Sequence, residues 1–296
     1  MKTIPRQAVV SACLALLLAV ATGEARAQAR RPSDETPTYL QGKPDQAEGR
    51  KILEKFRQTG WSLAGAYYLE FELRVLPRRG DERVVPGRLW GRRNDRGPIT
   101  RVELQPGVKN AELRLLVQVG TQSAAWRWPG QAGGVASIDT AALFEPLAGT
   151  DFTVFDLQMP FLYWSDFSYE GIASVTDRPA DVFLLRPPPT VTALKPELKG
   201  VRVWLDTQFN ALRKAEELGR NGQPLKSITG GDLKKIGEQW IAKWVEVRDE
   251  TTRNKTQFAV TGAALGQEFS AVLFDPVRLT DAVVPPPADR VQRVGP

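Results

Sequence analysis

The 296-residue chain has no histidine, one cysteine and two methionines. Without histidine, a Ser-His-Asp or Cys-His mechanism is excluded, and so is a His-ligated metal site. The one thiol, Cys13, lies inside an N-terminal apolar run. Most of that run follows the cysteine, whereas in a lipobox the apolar residues precede it. Removal of this segment leaves no cysteine for a disulfide, a nucleophile or redox chemistry. No Gly-rich phosphate loop of the P-loop or dinucleotide type occurs. Long blocks of like charge are also missing. The net charge of +6 is spread out, which argues against nucleic acid as a partner. After Ala21 no stretch approaches the roughly 18 apolar residues of a membrane helix.

What is present begins with Lys2 and Arg6, an apolar run from Ala8 to Ala21, and Ala25-Arg26-Ala27 as a small-x-small cleavage pattern. Residues 1–27 therefore read as a secretory signal peptide, and the mature chain as exported and periplasmic, without a transmembrane span. Residues 28–43 are polar and carry Pro32 and Pro37, as a flexible leader would. One domain is expected over 44–283, and a disordered, proline-rich tail over 284–296.

Within the domain, Asp45 to Thr59 reads as a helix. Asp45 is its cap, and Ala47, Ile52, Leu53 and Phe56 form its apolar stripe. Trp61 to Leu76 reads as a long strand, with Leu69, Phe71, Leu73 and Val75 alternating against Glu70, Glu72 and Arg74. Val84–Asn94, Ile99–Gln105, Leu113–Val119 and Ser123–Trp128 continue the sheet. Residues 129–164 break the rhythm. A short helix is expected to run to Leu157, capped by Thr150 or Asp151, within an aromatic excursion. Strands resume at Phe167–Val175 and Ala180–Arg186. From Val201 to Leu265 the pattern predicts a meander of four short strands. Its turns are expected at Asn221-Gly222, as a type I′ hairpin, and at Thr229-Gly230-Gly231. About ten strands are expected in all, and a twisted antiparallel sheet of that size curls.

Carboxylates are the remaining chemical candidates. Glu70 and Glu72 share a strand face and read as its wet side. Asp151 and Asp156 read as capping and solvated groups. No catalytic residue, metal or cofactor is assigned, and the chain reads as a non-enzyme.

At Leu147-Ala148-Gly149-Thr150-Asp151-Phe152, followed by Phe155-Asp156-Leu157, the sequence resembles the outer-membrane lipoprotein-sorting proteins, the LolA-like periplasmic lipoprotein carriers. The second half is similar as well: Val-Trp-Leu-Asp, an Asn-Gly turn, Ile-Gly…Trp, Lys-Thr-Gln-Phe and a closing Leu-Phe-Asp-Pro. The likeness covers roughly residues 45–280. It departs at Val154-Phe155-Asp156, where the family usually carries Tyr-Glu or Glu-Asp before the Leu. It also departs at residues 136–146, which lack the arginines that many relatives have there.

The resemblance implies a mainly β fold with a few helices: a curved antiparallel sheet forming an incomplete β-barrel, covered by helices, whose apolar hollow holds lipid. A roomy cavity is expected, with Phe71, Leu73, Trp90, Val102, Leu104, Trp126 and Trp128 as its lipid-binding walls. Phe152, Phe155, Leu157, Phe161 and Trp164 are expected at its lid or mouth. The implied function is shuttling the acyl chains of lipoproteins or lipids towards the outer membrane, with an envelope protein as donor or acceptor. Two alternatives stand beside it: an envelope sensor or interaction module of the same fold that binds a protein partner, and an exported hydrolase using carboxylates.

Overall fold

In the computed structural model the described residues are 44–59, 65–105, 112–130, 133–175 and 178–295. The expected signal peptide and leader and the strand start at Trp61 lie outside them.

Asp45 caps the first helix as expected, its Oδ1 accepting from the Ala47 amide at 2.8 Å. That helix, α1, spans Gln46–Thr59 and buries Gly49, Leu53 and Phe56. Six strands follow: β1 (Ala66–Leu76), β2 (Arg83–Asn94), β3 (Gly97–Leu104), β4 (Leu113–Gln118), β5 (Ala124–Trp128) and β6 (Ala136–Ser137). After the short helix α2 (Val154–Gln158) come β7 (Phe167–Val175), β8 (Arg178–Leu185), the helix α3 (Pro189–Leu194) and β9 (Gly200–Asp206). The last strands are β10 (Leu212–Leu218), β11 (Pro224–Ile236), β12 (Gln239–Asp249), β13 (Lys255–Gln267) and β14 (Gln292–Arg293).

All belong to one 14-stranded antiparallel sheet, ordered β6-β5-β4-β3-β2-β1-β13-β12-β11-β10-β9-β8-β7, with β14 added on β13. Two meanders thus meet at a seam where β1 pairs with β13. The sheet curves without closing and leaves β6 and β7 as edges. The first edge is only two residues long. Along the second, Gln46 of α1 occupies a neighbouring strand's place: its Oε1 accepts from the Tyr169 amide at 2.9 Å and its Nε2 donates to the Tyr169 carbonyl at 2.8 Å. Both devices keep an edge from recruiting another chain. Among the described residues, no helix is long and apolar enough to cross a membrane.

Several local expectations are corrected. The region from Val201 to Leu265 holds five strands, not four, and two of them run to 13 residues. Thr229-Gly230-Gly231 lies inside β11; the chain reverses instead at Gly237-Glu238, between Ile236 and its partner Gln239. Gly231 is there because the indole of Trp244 lies across it, where an added Cβ would come within 1.8 Å of a ring carbon. At Asn221-Gly222 only the glycine has positive φ, +73°. Gly219 and Gln223 close a three-residue loop through a 2.8 Å bond from the Gly219 amide, so the turn is a type I turn with a glycine bulge rather than type I′.

The tail expected to be disordered is ordered. After Ala259 the ladder between β12 and β13 ends, and β14 takes the freed edge at Gly262 and Ala263. Val291 and Val294 are buried on the way.

Candidate functional site

Alternation along the strands divides the sheet into two apolar faces. Leu69, Phe71, Leu73, Val85, Leu89, Val102, Leu104, Leu115 and Val117 point inwards and form the main core with α1 and α2. Tyr68, Trp90, Ile99 and Leu116 point outwards and are covered by Phe274, Leu279 and Val291 from the chain's end. Of the expected cavity walls, Phe71, Leu73, Val102 and Leu104 are therefore on the inner face. Trp90, Trp126 and Trp128 are on the outer one, so they are corrected out of the hollow. They pack under residues 269–294, a segment fixed from below by Arg101 and Arg114. These two guanidiniums donate to the carbonyls of Arg278, Leu279, Thr280 and Asp281. Arg114 also stacks 4.5 Å over the Trp128 ring.

The inner face is occupied by one continuous piece of chain. Residues 147–164 leave the sheet after β6, run through α2 and a turn of 3-10 helix, and return at β7. Phe152, Val154, Phe155, Leu157, Phe161 and Leu162 are all buried against the strands. Phe155 is the hub, its ring centroid 4.8 Å from that of Phe144, 5.7 Å from that of Phe161 and 6.2 Å from that of Trp164. The five expected lid residues thus come together, but as a plug rather than a rim. Two cavities border it. One, of about 10 Å³, lies among six expected residues: Phe71, Leu73, Val102, Leu104, Phe152 and Leu157. The other, of about 80 Å³, lies between Leu113, Leu115, Ile138, Pro146 and Val154. Pockets for drug-sized ligands run to about 300–1,000 Å³, so the roomy cavity expected from the sequence is filled in this conformation. Glycines help to make the fit: the rings of Phe71 and Tyr67 lie across Gly87 and Gly91 of the neighbouring strand, where an added Cβ would come within 2.3 and 2.0 Å.

The plug is latched to the sheet by Arg83, Lys226 and Thr256, which the sequence pattern does not single out; Asp156, read there as a capping and solvated group, does cap but is buried. The plug's helix is capped by Thr153, not by Thr150 or Asp151, in a reciprocal box with Asp156. Asp156 Oδ2 also accepts from Lys226 at 2.8 Å, while Asp156 Oδ1 is buried with no hydrogen-bond partner. Lys226 donates to the Asp151 carbonyl at 3.1 Å, and Thr256 Oγ1 to Asp151 Oδ2 at 2.7 Å. Arg83 reaches the Gly149 carbonyl at 2.6 Å, where the chain enters the plug through two left-handed residues, Ala148 (φ 49°) and Gly149 (φ 67°). At the far end Arg57 of α1 donates to the carbonyls of Leu162 and Trp164 at 2.6 and 2.9 Å.

Beneath Lys226, directly across the β10–β11 ladder, lies Glu217, which accepts from Lys195 at 2.6 Å. Burial pushes the Glu217 carboxyl up against the pull of Lys226 and Lys195. Burial also works against the Lys226 ammonium, but Asp156 and Glu217 outweigh it and hold its pKa above the ordinary lysine value. The signal for Lys226 was its even spacing with Ile228, which puts both on the inner face.

Glu70 and Glu72, read from the sequence as the wet side of a strand, are on the outer face, Glu70 bonded to Arg293 and Glu72 to Arg74. Among the described residues no group of three or more His, Cys, Asp or Glu could hold a metal.

A family model described as "Uncharacterized protein" matches residues 102–281. No curated protein matches the chain. Three solved structures share the fold. The first is a domain from Vibrio parahaemolyticus described as an outer membrane lipoprotein-sorting protein, at 16% identity and TM-score 0.66, covering 79% of this chain and 97% of that one. The second is a DUF1329 family protein from Desulfovibrio piger, at 12% identity and TM-score 0.65, covering 78% and 97%. The third is a LolA superfamily protein from Nitrosomonas europaea, at 15% identity and TM-score 0.57, covering 76% and 96%.

Proposed function

The chain belongs to the family whose model spans residues 102–281 and has the LolA-like fold; from these premises we propose that it is a periplasmic carrier of acyl chains. The observation that carries this reading is the plug. The inner apolar face is covered by helices and by residues 147–164 rather than by a second sheet, so withdrawal of that segment would uncover a trough lined by Phe71, Leu73, Val102 and Leu104.

The magnitudes allow exchange. Burying an acyl chain is worth about 0.8 kcal/mol per CH₂, or on the order of 12 kcal/mol for 16 carbons. The six buried plug side chains contribute about 1.5–3 kcal/mol each, roughly 9–18 kcal/mol together. Cargo and plug are comparable occupants, and a carrier that must also release its load needs near-equality. On this reading the cargo is the acyl chain of a lipoprotein or lipid, delivered and received by other envelope components, and no catalytic residue takes part.

The test combines native mass spectrometry of protein purified from envelope extracts with hydrogen exchange. The expected result is bound acyl lipid, together with faster exchange over residues 152–164 than in the delipidated protein. A chain that never carries lipid, and whose plug exchanges slowly under all conditions, would end the carrier reading. The filled interior favours one other reading: a sensor or interaction module of the same fold. A stoichiometric protein partner with no lipid would select it.

A further inference from the structure

Asp156 and its neighbours occupy a row of hydrogen-bond donors that belongs to the sheet. Arg83 on β2, Thr256 on β13 and Lys226 on β11 face inwards at one end of the trough. Each bonds to the stretch from Ala148 to Asp156. Arg83 and Thr256 both register with Val75 of β1, so they are two strands apart, about 10 Å at the usual spacing. Thr256 pairs with Val247, which pairs with Ile228, and Lys226 is one inward position further along. The plug supplies the acceptors for this row: the carbonyls of Ala148, Gly149 and Asp151, and the carboxylates of Asp151 and Asp156. When it leaves, both carboxylates leave with it. Two part-buried ammonium groups, Lys226 and Lys195, then face the single carboxylate of Glu217.

Building on the carrier reading, we propose that the cargo is an anionic amphiphile, whose headgroup oxyanion takes the place of the Asp156 carboxylate on Lys226 and of the Asp151 carboxylate on Thr256, with Arg83 at the outer edge. The plug is then a mimic of the whole ligand. Its aromatic side chains stand for the acyl tail, and Asp156 stands for the head. A buried cation deprived of its partner is strongly unfavourable. A neutral lipid would leave Lys226 and Lys195 sharing Glu217 alone, whereas an anionic one would restore the lost negative charge.

The experiment compares two lipids that differ only in the head, 1-oleoyl lysophosphatidate and 1-monoolein, by titration of the full-length mature protein. Lysophosphatidate is expected to bind at least tenfold more tightly. Lys226→Met is expected to bring the ratio close to one while monoolein binding persists. Should that variant fail to fold, Thr256→Val and Arg83→Gln are each expected to reduce the ratio. Equal affinities in the unaltered protein, or a ratio unchanged by every variant, would overturn the proposal and leave the carrier reading standing. Full competition by inorganic phosphate would overturn it too, marking a site for a free anion. If neither lipid binds, even to Asp156→Asn with its latch loosened, the proposal falls together with the carrier reading.

Discussion

Gly87 shows how finely single positions set the inner face. Its missing side chain is replaced by the ring of Phe71 from the next strand, and the Glu103 carbonyl closes in from the other side, 3.0 Å from where a Cβ would be. An alanine there must push the Phe71 ring into the plug. Gly87→Ala is expected to cost about 1–3 kcal/mol, the usual range for overpacking, as a lower urea midpoint. Gly134→Ala, with nothing within 4 Å of the added carbon, is expected to leave the midpoint within about 0.5 kcal/mol of unchanged. Equal effects of the two would mean that the Phe71 ring is not held where the structure puts it. At this scale the sequence was only partly readable. Alternation places Phe71 and Leu73 on one apolar face, and the family resemblance adds Val102 and Leu104 to it. Neither places Lys226 there, because a charge on an inner face makes sense only once its carboxylate partners, Asp156 and Glu217, are known to meet it from distant parts of the chain.

Among the elements, the terminal segment departs furthest from its sequence pattern. Residues 284–287 include three prolines, and nothing local suggests a partner; the pairing of β14 with β13 is visible only in three dimensions. Deleting residues 284–296 removes the buried Val291 and Val294 and reopens the edge of β13. It is expected to destabilise by about 3–6 kcal/mol at roughly 1.5–3 per valine, measured as a lower midpoint of thermal unfolding. An unchanged midpoint would show that β14 contributes no stability. The same segment explains why Trp90, Trp126 and Trp128 were misplaced. Alternation separates apolar from polar faces, but here Phe274 and Leu279 cover the outer face, so both faces carry large apolar residues and parity alone cannot tell them apart. The strands β1–β5 and the helix α1 are legible because polar residues interrupt each apolar run, even in β3, where all eight residues are buried. The plug was legible as an interruption, though not as the filler of the hollow.

For the molecule as a whole, burial raises the carboxyl pKa of Asp181, Glu103 and Glu217 above the ordinary range. The folded chain therefore binds protons more readily than the unfolded one between the usual carboxylate value near 4 and each raised value. In that window stability falls as pH rises. Lys226 has the same slope on the alkaline side: its raised pKa supports the fold below the ordinary lysine value, and that support is lost as pH climbs through its folded value. The urea midpoint is expected to be higher at about pH 5 than at about pH 8. Asp181, which accepts from the Tyr169 hydroxyl at 2.6 Å, tests the cause: Asp181→Asn keeps an acceptor and is expected to raise the pH 8 midpoint and flatten the dependence. A midpoint that rises with pH in both proteins would refute it. The seam between the two meanders has a further consequence, for the order of assembly. β1 ends at Leu76, yet its partner β13 does not begin until Lys255. A polypeptide made amino end first presents the earliest strand long before its mate exists. The seam is therefore among the last pairings to become possible, and the two halves stay unjoined until β13 is made.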